Sequence, residues 1–354
     1  MDFLAPRRTE LMARYDRLRP VLQSVLQVCS LIHGPTEPGR VFRSVKGWRQ
    51  APHWLKDTSR EQIYRYVHKL QELQLLDSLY HCDPDIIEIV TRKAAATDLF
   101  QSMSDAVVEA VPFPRHGMPV GHEFEWVSLT RLRTHLYRRE LDQIMPSYNI
   151  LVNHPAAKQQ PQDPLVQICN NPFDADWFSS YPGDFQCIVL RGIILFGILN
   201  VIPHGAALDY ALTTDFSKDK EANVLRPSLE QLLAVRLMLA GRLEEASQLS
   251  VMSADSATTH GLLPTIEFFR GRHAAAVTAF ERELTVLKAQ SHRKNAYFHG
   301  WPGVFFLLAL LHLNQDSALA RMEEICQGKR GPGDNDPLLL PICRSIVAIV
   351  RILR

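Results

Sequence analysis

Two stretches thirty residues apart carry the same punctuation, and this constrains the fold more than any other feature of the chain. Leu239-Ala240-Gly241-Arg242-Leu243-Glu244-Glu245-Ala246 lines up with Phe269-Arg270-Gly271-Arg272-His273-Ala274-Ala275-Ala276. A repeat of about 20 to 50 residues marks stacked supersecondary units, each too small to bury its own apolar face. The glycine leaves one helix through a left-handed conformation, and the small alanine downstream lets the next helix pack close. The spacing predicts helices over Leu229–Ala240 and Leu263–Arg270, followed by helices over Leu243–Met252 and Ala274–Leu287. Such a stack of antiparallel pairs is a binding scaffold.

The rest of the 354 residues calls for one or two further domains at roughly 100 to 200 residues each. We divide the chain at 1–105, 106–183 and 184–354. In the first part, Val21, Leu22, Val25, Leu26, Cys29 and Ile32 recur at helical spacing behind Pro20, and His33-Gly34-Pro35 stops the helix. Arg40 to Trp48 fits a short helix ended by Gly47. Thr58 or Ser59 then caps a third, with Glu61 and Gln62 placed for a capping box and Ile63, Tyr66, Val67, Leu70 and Leu73 forming its apolar stripe. Leu75–Tyr80 and Ile86–Val90 flank a turn at Cys82-Asp83-Pro84-Asp85. Three helices and a hairpin are the order of a winged helix. The expected fold is therefore mainly α, a winged-helix-like N-terminal domain followed by an α-helical, tetratricopeptide-like array.

Between them, 106–183 reads as a connector. Pro112, Pro114, Gly117, Pro119 and Gly121 mark a loop, Val127–Ile144 resumes a helical period with Arg131, Arg133, Arg138 and Arg139 partly exposed, and six prolines from Pro146 to Pro182 interrupt every later pattern. The apolar run Ile188–Ile202 is broken by Arg191 and Asn200 and falls short of the ~20 residues that span a bilayer, so it is expected to be a buried helix. Leu338–Leu353 is a further apolar helix.

Most catalytic chemistry lacks its residues. Gly34–Arg40 has the glycine spacing of a phosphate loop without the Lys-Ser or Lys-Thr ending, and Gly328–Gly333 follows no strand. No H-E-x-x-H and no G-x-S-x-G occurs. His81 beside Cys82 lacks further metal ligands nearby, and with the polar loop His116–Glu125 it is all that an enzyme reading has to offer. Glu244-Glu245 and Glu323-Glu324 belong to solvated helix faces. The six cysteines form no C-x-x-C, which fits reduced thiols in a cytoplasmic protein, and the N-terminus has no apolar stretch of signal-peptide length. The expectation is a protein without catalytic residues, cofactor or metal, away from membranes.

Charge supplies the positive signal. The chain carries a net charge of only +1, yet residues 1–75 hold 13 Lys and Arg against 7 Asp and Glu. On a winged helix this surplus lies near the recognition helix, where Arg and Lys meet phosphates and Arg60, Gln62 and Arg65 meet base edges. Lys69, Arg43 and Lys46 complete the candidate contacts to double-stranded DNA. A solvated basic face, on a domain that binds only protein, is the competing reading.

Lys294-Asn295-Ala296-Tyr297-Phe298, followed by Trp301-Pro302-Gly303-Val304-Phe305-Phe306 and an apolar helix to Leu311, resembles an element in the long N-terminal region of large bacterial Swi/Snf-type helicase-like ATPases. The helix Ser59–Leu76 and the ensuing Cys82-Asp83-Pro84 are similar to the front of those proteins. The resemblance implies an accessory region that precedes a DNA-translocating motor. Neither a phosphate loop nor an acidic Asp-Glu motif of such a motor is present in this sequence, so the motor is expected either further along the same polypeptide or as a separate partner. Two functions follow: a non-catalytic DNA- or protein-engaging regulatory module associated with that ATPase, or a pure protein–protein interaction scaffold.

Overall fold

The computed structural model describes residues 5–33, 37–112, 122–154, 163–202, 205–252, 261–291, 298, 301–313, 320, 345 and 348. The chain is mainly helical, with no strand among the described residues. Its helices are α1 (Ala5–Asp16), α2 (Pro20–Leu31), α3 (Pro38–Gly47), α4 (His53–Lys56), α5 (Arg60–Glu72), α6 (Ile87–Ala95), α7 (Phe100–Ala110), α8 (His122–Arg138), α9 (Leu141–Asn153), α10 (Pro164–Cys169), α11 (Ala175–Phe178), α12 (Gly183–Asn200), α13 (Gly205–Thr213), α14 (Lys220–Leu239), α15 (Leu243–Met252), α16 (Leu262–Phe269), α17 (His273–Ser291) and α18 (Trp301–Leu313). They form two compact units, Met1–Tyr210 and Ala211–Arg354. The division falls well beyond the boundaries at 105 and 183 that the prolines suggest.

In the first unit α2, α3 and α5 pack on one another. Val25, Leu26 and Cys29 of α2, Val41 and Val45 of α3, and Ile63, Val67 and Leu70 of α5 are the buried positions that join them. Ser59 caps α5 reciprocally: its Oγ accepts from the Gln62 amide at 3.3 Å, and Gln62 Oε1 accepts from the Ser59 amide at 2.7 Å. The hairpin expected next is not formed. Leu76 and Cys82 make one isolated antiparallel bridge, and Ile87–Val90, read from the sequence as a strand, belong to α6. Ile86, Val90 and Ala94 are buried, and this spacing of four sets one stripe of a helix where the short apolar run alone had looked like a strand.

The expected connector also folds into this unit. The single period over Val127–Ile144 is two helices, because α8 ends at Arg139 in the left-handed region, φ 59°. The Arg139 amide donates to the Leu136 carbonyl at 3.0 Å and the Glu140 amide to that of His135 at 3.0 Å, closing the helix in a Schellman motif without glycine. α9 then continues through Pro146.

Arg133, one of four arginines expected to be exposed in part, is fully buried. Its guanidinium pairs with buried Glu88 of α6 and donates to the Ser30 carbonyl of α2 at 2.8 Å and to Thr91 Oγ1 at 2.9 Å, while Tyr137 donates to the other Glu88 oxygen. Burial is affordable for these charges only because each finds a partner. Arg138 is likewise taken inward, to Asp105 at 2.5 Å and Ser104 Oγ at 2.7 Å.

α12, by length and composition, is long and apolar enough to cross a membrane. It packs on α10 with Cys187, Leu190, Ile193 and Ile194 buried. Gly192 makes this approach possible, since a Cβ there would stand 2.8 Å from Val166 Cγ2. Gly192→Ala is expected to lower stability by about 1–3 kcal/mol, the usual cost of overpacking, in urea denaturation followed by tryptophan fluorescence. A change under 0.5 kcal/mol would refute the close packing.

In the second unit, Gly241 and Gly271 both take the left-handed conformation, φ 77° and 74°. Each closes its helix through the same two bonds: Gly241 to Met238 at 3.0 Å with Arg242 to Leu237 at 2.9 Å, and Gly271 to Phe268 at 2.9 Å with Arg272 to Glu267 at 3.0 Å. Ala246 and Ala276 are completely buried. Ala234, Leu237, Met238, Ala246, Leu262 and Ile266 form one core, and Phe280, Leu284, Val304, Phe306, Leu307 and Leu310 belong to a second that holds α18 on α17. The loop at 113–121, the polar run 158–160, the segment 294–297, the carboxylates 323–324, the turn 328–333 and most of 338–353 lie outside the described residues.

Candidate nucleic-acid interface

The capping box fixes where α5 begins, and this places Arg60 in its first turn. Because Ile63, Val67 and Leu70 face the core, Arg65, His68, Lys69 and Glu72 face solvent. On α3 the inward Val41, Ser44 and Val45 leave Arg43 and Lys46 exposed. The link between the two helices adds exposed Arg49, Lys56 and Trp54, whose ring meets His53 edge-on at 4.7 Å.

These elements are tied together locally. Lys46 Nζ donates to the Lys56 carbonyl at 2.9 Å, and Gly39 at the start of α3 lies beside the Tyr64 hydroxyl of α5. Arg60 donates to that hydroxyl at 3.1 Å and lies over the Tyr64 ring at 5.4 Å. Arg43, Arg49, Lys56 and Arg65 have side chains with no hydrogen-bond or ion-pair partner among the described residues. Residues 40–72 hold eight Lys and Arg against three Asp and Glu, Asp57, Glu61 and Glu72. The surplus is therefore local and uncompensated.

Of the six sequence candidates, Lys46 and Arg60 donate to neutral oxygens, and two more are engaged through a cap and an ion pair. Gln62 spends its carbonyl oxygen on the cap, and Lys69 pairs with Glu72 at 2.8 Å. That hydrogen bond, with the ammonium charge behind it, holds the Glu72 carboxyl below its usual range. Arg43, Lys46, Arg60 and Arg65 keep their charges available, and Arg49 and Lys56 join them. The last two were visible only as members of the basic surplus, since neither lies within a periodic helix pattern. The arrangement suits phosphate contacts more than base reading, because the amide side chain best placed on the candidate reading helix is committed to its own backbone.

His81 and Cys82 sit in a hydrogen-bonded turn. Asp77 Oδ1 accepts from the Leu79 and His81 amides at 2.8 and 2.9 Å, and Oδ2 meets His81 Nδ1 at 2.8 Å, which locks the turn before Cys82. Burial, and then the neighbouring Cys29, pushes the Cys82 thiol well above its ordinary pKa, so it stays a poor nucleophile. Among the described residues no group of three His, Cys, Asp or Glu could hold a metal. Glu244 and Glu245 pair with Arg270 at 2.8 Å and Arg242 at 2.5 Å. Compared with known proteins, the chain matches no family model, no curated protein and no solved structure.

Proposed function

We propose that this chain is a non-catalytic interaction module whose α3–α5 surface engages the phosphate backbone of double-stranded DNA, while its C-terminal helix pairs hold a protein partner. The observation that carries this is the set of exposed, unpaired cations Arg43, Arg49, Lys56 and Arg65 beside Lys46 and Arg60. On this reading α2, α3 and α5 act as a wingless relative of a winged helix, and α14–α17 as a tetratricopeptide-like array. The partner is a Swi/Snf-type motor, in the same polypeptide or separate. Four free, buried thiols, Cys29, Cys82, Cys169 and Cys187, suit the reducing cytoplasm in which such a module works.

The test is fluorescence anisotropy of the full chain with labelled duplex DNA across a salt series. Affinity falls steeply with salt because each phosphate contact releases counterions. Arg43→Glu, Arg60→Glu and Arg65→Glu together weaken binding at least ~10-fold and flatten the log–log salt slope by about 3, near one per lost contact. All three sites are exposed, so circular dichroism stays unchanged. Equal affinity and slope in the triple variant would remove the interface from this surface.

A protein-only scaffold is the second reading, favoured by the exposed aromatics Phe269 and Trp301, which both pack on Phe305. It gains if the full chain shows no salt-dependent DNA affinity while a partner binds and is lost on Phe269→Ser with Trp301→Ser.

A further inference from the structure

The second unit contains a cavity of about 330 Å³ between residues 211–216 and helices α14 and α15. Its walls are Leu212, Phe216, Leu229, Leu233 and Leu249, with Arg226 and Glu230 on one side. That size is at the small end of ligand pockets, and apolar walls with a few polar groups are their usual make-up. Glu230 is nine-tenths buried, and its Oε2 has no hydrogen-bond partner among the described residues. Its other oxygen meets Arg226 Nε at 3.4 Å, well beyond the ~2.7–2.9 Å of a charge-assisted bond. Asp215, the other carboxylate on the wall, is already satisfied by the Ser217 amide at 3.0 Å and the Ser217 hydroxyl at 2.6 Å. Glu230 Oε2 and the Arg226 Nε, on a side chain otherwise partly open to solvent, thus have unused capacity, which for the buried carboxylate costs stability until something fills it.

The charge pattern selects the guest. A simple cation placed here would meet Arg226, and a simple anion would meet Glu230. A zwitterion satisfies both. We propose that the cavity binds a free α-amino acid with an apolar side chain, its ammonium donating to Glu230, its carboxylate accepting from Arg226, and its side chain packing on the leucines. Burial raises the Glu230 carboxyl above its ordinary pKa against the opposing pull of Arg226, which agrees with an acceptor short of donors.

Isothermal titration calorimetry of the full chain with L-leucine, L-methionine and L-phenylalanine tests this. At least one binds, and analogues of leucine lacking one charge, isoamylamine and 4-methylpentanoate, bind at least ~10-fold more weakly. Glu230→Gln, which keeps the shape, weakens the amino acid at least ~10-fold. Arg226→Gln, at a side chain partly open to solvent, does the same and covers the case in which the Glu230 variant fails to fold. The proposal is overturned if none of the three amino acids binds, if isoamylamine binds as well as leucine, or if folded variants at both positions bind normally.

Discussion

Arg133→Leu lowers the stability of the N-terminal unit by about 3–5 kcal/mol. The size follows from what is left behind. Glu88 is 2% exposed and would keep only the Tyr137 hydroxyl, while the Ser30 carbonyl would lose the donor that Arg133 gives it at 2.8 Å. A buried carboxylate without its cation is among the few mechanisms that reach this magnitude. Leucine at both positions 88 and 133 removes the orphan charge together with its partner, so the double variant recovers most of the loss. Urea denaturation read by tryptophan fluorescence separates the two, since Trp48, Trp54, Trp126 and Trp177 all lie in this unit. A single variant within 1 kcal/mol of the parent, or a double variant no better than the single, would show that the pair does not hold α6 to α8.

Gly261→Ala is the counterpart in the second unit, with an expected cost of about 2–5 kcal/mol. Its φ of 87° is a conformation that costs an L side chain about 1–2 kcal/mol. A Cβ there would also stand 2.6 Å from the Pro302 ring and 3.2 Å from Phe298, and such overpacking adds about 1–3 kcal/mol. Gly241 and Gly271 provide the control. Their φ values are similar, but a Cβ at either would meet nothing within 4 Å, so alanine costs only the backbone penalty of about 1–2 kcal/mol. Thermal melts by circular dichroism should place Gly261→Ala clearly below the other two. Equal melting temperatures for all three would contradict the contact between Gly261 and Pro302.

The same glycines explain how much of the fold could be read in advance. Gly241 and Gly271 announce two helix ends because glycine is the residue that ordinarily takes a left-handed cap, and the helices around them fall within a few residues of their expected places, α14 excepted. α14 starts at Lys220, earlier than expected, and runs through Pro227. Gln74 and Arg139 make the same kind of cap, at φ 58° and 59°, with residues that carry no such signal. Arg139 was therefore invisible, and α8 and α9 read as one helix. Arg133 was misplaced for a related reason: periodicity assigns a face to an arginine, but only the fold supplies Glu88, 45 residues earlier in sequence, to receive it. At the basic surface, residue type was legible and pairing was not. The spacing that marks Gln62 as a cap residue is also what commits its carbonyl oxygen to the Ser59 amide.

The buried network spanning α2, α6 and α8 also bears on how the chain can be dissected. A fragment ending near residue 105 keeps Ser30, Glu88 and Thr91 but discards Arg133 and Tyr137, so its basic helices would be assayed on a body with a stranded carboxylate. A failure of such a piece to bind would reflect the damaged body and not the basic surface. The shortest fair test of the basic surface in isolation runs to Tyr210, where the first compact unit closes.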